Sequence, residues 1–198
     1  MDAIYDIGRI ENVHFNPWWS SHSKGLCVSD DARRGVYLWP SWLGDYLGIG
    51  ADDCNRAVLV EQRARYGLLI ANAEFTSFHG DDPTMIEVRE ANKGVVRLSN
   101  SAFWGPCNQI AKIAGTGTVG FSECTFVQWG KEGRRAAIQA SSGSVLIRGC
   151  EFLENKPHIL LGEEVTRAVV TGNLFSGPAQ IENHSRRDVQ IGLNAASA

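Results

Sequence analysis

Two acidic pairs, Asp52–Asp53 in "ADDC" and Asp81–Asp82 in "FHGDDPTM", are the residues best placed to share acid–base chemistry. Asp53 stands five residues before Val58, and Asp81 stands five before Ile86, so each pair precedes an apolar segment by the same interval. Where those segments stack as neighbouring strands, the carboxylates stack with them. Carboxylates about 5–6 Å apart suit a retaining glycosidase, and wider pairs suit inversion. Like charges that close also raise one carboxyl pKa, which a general acid working near neutrality requires. Glu87 adds a third acid just beyond this point, and His79 in the same loop is the assisting group. Asp-Asp before Pro or Asn is equally ordinary turn chemistry, and the spacing alone leaves both readings open.

The tryptophans offer a second kind of contact. Trp18, Trp19, Trp39 and Trp42 fall in the segment 16–56, while Trp104 in "FWGP" and Trp129 in "VQWG" follow a phenylalanine closely. Aromatic faces stack on the apolar C–H patches of sugar rings, so Trp18, Trp19, Trp104 and Trp129 are candidate sugar-binding residues. The same rings could instead bury the segment 16–56 against its neighbours. A calcium site drawn from Asp81, Asp82 and Glu87 has suitable oxygen donors but no ligand-loop motif. The histidines, His14, His22, His79, His158 and His184, have no metal-binding spacing. No metal or cofactor is therefore expected. Five cysteines without CxxC spacing point neither to zinc nor to a disulfide framework.

The elements that must position these residues come from a repeated phrase. "IANAEF" (70–75), "LSNSAF" (98–103), "FSECTF" (121–126), "IRGCEF" (147–152) and "VTGNLF" (170–175) each run from an apolar residue through a turn-like one to phenylalanine. An earlier copy ends at Phe15, and a weaker last one, "IGLNA" (191–195), puts Gly192 at the turn and Ala195 in the Phe place. Alternate residues before each turn are apolar, as in a strand with one buried face. A second apolar segment follows each phrase: "MIEV", "QIAKI", "AIQA", "HILL" and "QIEN". From Phe75 onward the phenylalanines recur after 28, 23, 26 and 23 residues. Three short strands per repeat with no helical periodicity predict an all-β parallel solenoid of about seven coils. It is one domain over 1–198, with 16–56 as a Trp-rich insertion or cap between the first and second coils. Cys124 and Cys150 share one repeat position and read as a ladder of small buried residues.

Alternation then sorts the Ile-centred segments. With Ile86, Ile110, Ile138, Ile159 and Ile181 pointing inward, their neighbours point outward: Met85 and Glu87, Gln109 and Ala111, Ala137 and Gln139, His158 and Leu160, Gln180 and Glu182. Glu87, Gln139 and Glu182 then lie on one line, roughly 10 Å apart per two coils. Gln139, His158 and Glu182 join the tryptophans as candidate substrate contacts.

The phrase "VLIRGCEF" resembles the coils of the pectate-lyase-like superfamily, the single-stranded right-handed parallel β-helices. The resemblance covers nearly the whole chain and is architectural. It implies that the Ile-centred segments are strand 1, the V-x-I phrases strand 2 and the Phe segments strand 3. It also implies polysaccharide binding across the outer face of strand 1, between the turn 3 loops, and a secreted or periplasmic location. "ADDC" further resembles the Asp-Asp-Cys element of the family 28 glycoside hydrolases, with Asp52 and Asp53 as the matching acids. The Asn-Thr-Asp and Arg-Ile-Lys elements of that family are absent. A lyase would draw its base from Lys112, Arg134 or Arg135. The expected function is a polysaccharide glycoside hydrolase or lyase-like enzyme. The alternative is a non-catalytic carbohydrate-binding or structural module, such as an accessory or tailspike-like coil stack.

Bulk composition excludes other classes. Lys plus Arg is 19 against 22 for Asp plus Glu, which gives no electrostatic case for nucleic acid or an anionic membrane. No apolar run reaches a membrane span, and the first residues show no signal peptide. The first phrase lies close to Met1, so its coil would expose strand edges. That edge calls for cover by the insertion, a second copy or a further domain.

Overall fold

A computed structural model describes residues 26–28, 36–38, 58–60, 68–76, 84–131 and 133–197. The earliest described strands, β1 (Leu26–Val28) and β2 (Val36–Leu38), pair with each other antiparallel. From β3 on, the described residues wind as a parallel β-solenoid of about five turns, in six rungs of strands, with no helix among them. Its first rung is β3 (Val58–Val60), β4 (Leu68–Ala71) and β5 (Glu74–Thr76). The second is β6 (Thr84–Val88), β7 (Val95–Ser99) and β8 (Ala102–Trp104). The third is β9 (Gln109–Ile113), β10 (Thr118–Ser122) and β11 (Thr125–Val127). In the next two rungs, β12 (Ile138–Arg148) and β14 (Ile159–Thr171) run through the first corner without a break. They are followed by β13 (Glu151–Phe152) and β15 (Leu174–Phe175). The last rung is β16 (Ile181–Asn183), β17 (Asp188–Gly192) and β18 (Ala195–Ala196). The early phrase ending at Phe15, counted among the expected seven coils, lies outside the described residues.

Strand identity follows the repeat. The Ile-centred segments form one parallel row, the V-x-I phrases a second and the Phe segments a third. The third is a separate sheet of six strands, while the continuity of β12 and β14 merges the other two. At its first strand, the strand-1 row is extended by β2, which pairs antiparallel with β3.

Each inward position recurs one rung on, so like stacks on like. Phe75, Phe103, Phe126 and Phe152 lead to Phe175, with successive ring centroids 4.9, 5.4, 4.8 and 4.9 Å apart. Leu98, Phe121, Ile147 and Val170 form a second buried column, and Val96, Val119, Val145 and Ala168 a third. Burying each of the larger side chains contributes about 1.5–3 kcal/mol, and a rung gains this only by having a neighbour.

The turn position is a column too. Asn72, Asn100, Glu123, Gly149, Gly172 and Leu193 all have φ between 45° and 67°. Left-handed backbone suits Gly and Asn, and the Asn100 side-chain amide donates to the Asn72 side-chain oxygen at 2.7 Å. The last copy of the phrase corrects the sequence reading by one residue. Register sets Ala196, not Ala195, opposite Phe175, and Leu193, not Gly192, takes the positive φ. A leucine held there costs about 1–2 kcal/mol, and its side chain is 93% exposed.

The next position holds the described part of a polar ladder inside the corner between strands 2 and 3. The Ser101 hydroxyl accepts from the Ala73 N–H and donates to the Ser99 carbonyl. Cys124 and Cys150 continue it as buried free thiols, each donating to the carbonyl two residues before it. Asn173 and Asn194 finish it, with Asn173 donating to the Asn194 side-chain oxygen at 3.0 Å.

Candidate functional site

The outer face of the strand-1 row collects three of the described candidate residues, Glu87, Gln139 and Glu182. Pairing places Leu59, Glu87, Lys112, Gln139, Leu160 and Glu182 in a single register, one per rung. Glu87, Gln139 and Glu182 therefore share a line as alternation predicts, and Lys112 and Leu160 complete it. The third rung corrects the sequence reading. Ala111, not Ile110, pairs with Ile86 and Ile138, so Ala111 is buried and Lys112 faces outward.

The row is polar and partly braced. Lys112 and Glu182 are exposed, and Gln139 is half-buried. The Gln109 amide donates to the Gln139 side-chain oxygen at 2.8 Å, fixing which way that amide points. The Glu87 carboxylate accepts from Arg89 at 3.4 Å, and Glu182 pairs with His184 at 2.6 Å. Glu87 and Glu182 are four rung spacings apart, or roughly 19 Å. That is far beyond the spans of about 5–9.5 Å over which two carboxylates share a glycosidic bond.

Two residues before this row, four of the five rungs from β6 on are turned in, and only Gln180 on the last rung is exposed as alternation predicts. Met85, Ala137 and His158 are buried, like Ile110 beside them. The His158 ring lies inside the solenoid, 5.3 Å from Phe152 and 4.6 Å from Phe175 between centroids. Its Nε2–H donates to the Glu154 carbonyl at 2.9 Å, and its Nδ1 accepts from the Gln180 N–H at 3.0 Å. Both ring nitrogens are therefore used by a neutral imidazole, and His158 is a corner bolt rather than a substrate contact.

Trp129 is corrected in the same way. It is fully buried against Phe152 and His158, and its indole N–H donates to the Pro157 carbonyl at 2.9 Å. A ring held there belongs to the core, not to a cleft wall. Trp104 does reach solvent, but it ends β8 and so belongs to the strand-3 sheet.

Burial pushes the His158 pKa below its ordinary value of 6.5, because the charged ring would lose solvation. The unfolded chain then takes up a proton that the folded chain resists. This contribution to stability is complete above about pH 6.5 and is lost as pH falls below it towards the depressed folded value. Urea midpoints measured from pH 7.5 to pH 5.5 should fall more in the wild type than in His158→Gln. Parallel pH profiles would show that His158 is not held neutral.

Asp52, Asp53, His79, Asp81, Asp82, Trp18 and Trp19 lie outside the described residues, as does most of 16–56. Two of the three residues from which a calcium site could be drawn, Asp81 and Asp82, are among them. Within the described residues no three His, Cys, Asp or Glu side chains gather as a metal site. Two of the three buried thiols, Cys107 and Cys150, are held protonated, while the hydrogen bond with Cys150 lowers the Cys124 pKa. Burial pushes Cys107 up to about 12, and the hydrogen bond with Cys124, with burial second, raises Cys150.

Taken together, these features define a parallel β-solenoid with a ladder of polar side chains along one outer face. Compared with protein-family models, curated proteins and solved structures, the chain has no significant match.

Proposed function

We propose that this protein is a carbohydrate-binding β-helix that holds an extended glycan along the outer face of its strand-1 row. The observation that carries the reading is the register of Glu87, Lys112, Gln139, Leu160 and Glu182, one side chain per rung on a straight, accessible line. Donors and acceptors about 4.8 Å apart on Glu87, Lys112 and Gln139, with Glu182 two rungs further on, match a polymer that is itself a linear repeat of hydroxyl groups. Two rungs span roughly 10 Å, about the length of a disaccharide. The resemblance of the coils to the pectate-lyase-like superfamily supports the same face.

Binding without cleavage is favoured because Glu87 and Glu182, the acids of this row, stand too far apart to act on one bond. A hydrolase is the second reading, favoured by the parallel pairing of β3 with β6. The sequence segments carrying Asp52–Asp53 and Asp81–Asp82 lead into those neighbouring strands. One experiment separates the two. A polysaccharide panel is screened for binding and, in parallel, for new reducing ends and unsaturated products. Binding reduced about tenfold in Lys112→Ala or Gln139→Ala, the cost of one good contact, with no product, is the expected result. Turnover abolished by Asp82→Asn would establish the hydrolase, and no binding to any glycan would remove both.

A further inference from the structure

The outer face of the strand-2 row carries a second arrangement, unrelated to the glycan face. Arg97 on β7 and Arg148 on β12 stand on the rungs either side of β10, and both side chains turn towards it. A Cβ on Gly120 would lie 2.3 Å from Arg97 Nη1, so the guanidinium occupies the gap this glycine leaves between Arg97 and Leu146. Arg148 comes from the opposite side, its Nε–H donating to the Ser122 hydroxyl at 3.2 Å. Gly120 and Ser122 are two residues apart on one strand, roughly 6.6 Å. Two guanidinium groups therefore converge over one short stretch of β10.

Neither has an acidic partner among the described residues. Arg97 makes no ion pair or hydrogen bond among the described residues, and its Nη1 is a buried donor with no acceptor. Buried donors are nearly always satisfied, so an orphan on a charged group marks a missing acceptor. Arg148 spends only Nε, leaving its outer N–H groups uncommitted among the described residues. Glu123, exposed at the turn after Ser122, pairs with neither arginine.

We propose that Arg97 and Arg148 clamp a tetrahedral oxyanion, a phosphate or sulfate group, over Gly120 and Ser122. Planar guanidinium forks match such oxygens in pairs, and a modest swing of Arg97 off Gly120 gives its orphan donor an acceptor. Leu69 and Leu146 flank Arg97 and Gly120 in the same row, lowering the local polarity in which these charges act.

The test uses the whole chain with inorganic sulfate and inorganic phosphate, at ionic strength matched with sodium chloride. Arginine Nε–Hε resonances are followed by NMR, and melting temperature is followed alongside. The wild type should show saturable shifts of the Arg97 and Arg148 signals. Arg97→Gln and Arg148→Gln should each weaken binding at least tenfold. Arg167→Gln on the same face should leave it unchanged. Sulfate stabilises folds generally by exclusion, so the thermal read-out is the difference between the wild type and the double arginine variant. Equal thermal responses in those two, or arginine signals that do not move, would overturn the site. A monosaccharide sulfate and a monosaccharide phosphate form the second arm. Tighter binding than the free ions assigns the group to a saccharide ester, and equal binding assigns it to the free anion. Gln139→Ala should leave every arm unchanged, which separates this site from the glycan face.

Discussion

Phe126→Ala is expected to destabilise the protein by about 3–5 kcal/mol, the range for emptying a buried aromatic site. Phe126 sits in the middle of the phenylalanine column, fully buried, with Phe152 at 4.8 Å, Phe103 at 5.4 Å and Phe121 at 5.8 Å. Backbone pairing between rungs fixes their spacing, so neighbouring rings cannot slide together to fill the void. Phe75→Ala should cost less, because Phe75 is only half-buried and has a ring neighbour at Phe103. Urea unfolding of the two variants checks this directly. A loss below about 1 kcal/mol at Phe126 would be incompatible with a closely packed column.

The second large effect is at Asn173, a fully buried side chain that joins three rungs. Its oxygen accepts the Cys150 N–H at 2.9 Å, while its amide donates to the Ile147 carbonyl at 3.1 Å and to Asn194. Asn173→Leu fills similar space but strips the Cys150 N–H of its acceptor. A buried donor left unsatisfied costs about 1–3 kcal/mol, and the lost bonds to Ile147 and Asn194 bring the expected total to about 3 kcal/mol. Asn173→Ser should recover part of it, since Ser101 performs the same service three rungs earlier in the column, accepting the Ala73 N–H. Urea midpoints give the magnitude, and hydrogen exchange at the Cys150 amide gives the cause. Exchange at that amide unchanged in Asn173→Leu would refute the account.

The strand order and the columns were legible because a parallel rung must present the same surface to its neighbour. That constraint writes Phe, Asn or Gly, and paired aliphatics at fixed intervals. It weakens where a segment is apolar in both phases. "QIAKI" has Ile110 and Ile113 on opposite phases, and Ile110 is buried anyway at the corner, so alternation selected the wrong one. His158 and Trp129 misled for a related reason. Both types carry a polar N–H on a largely apolar ring, and here those N–H groups meet backbone carbonyls inside the corner. In the last rung the turn-like type of Gly192 outweighed the fixed interval of five residues from strand 2 to the column. Interval was the better guide, because backbone geometry imposes it whatever the residue. The arginine pair left no such trace, since neither position repeats.

The corner between strands 2 and 3 never changes length, whereas the connection after strand 3 does: β8 to β9 and β11 to β12 differ by several residues. The ladder through Ser101, Cys124, Cys150, Asn173 and Asn194 explains the difference, since each member must meet the next. A tandem duplication of one whole turn would therefore preserve every column, while the loss of a single residue at that corner would break them all. A gene for such a chain can lengthen by copying units and diversify in one set of loops. Its structure tolerates change of phase nowhere else as poorly as in those two-residue bends.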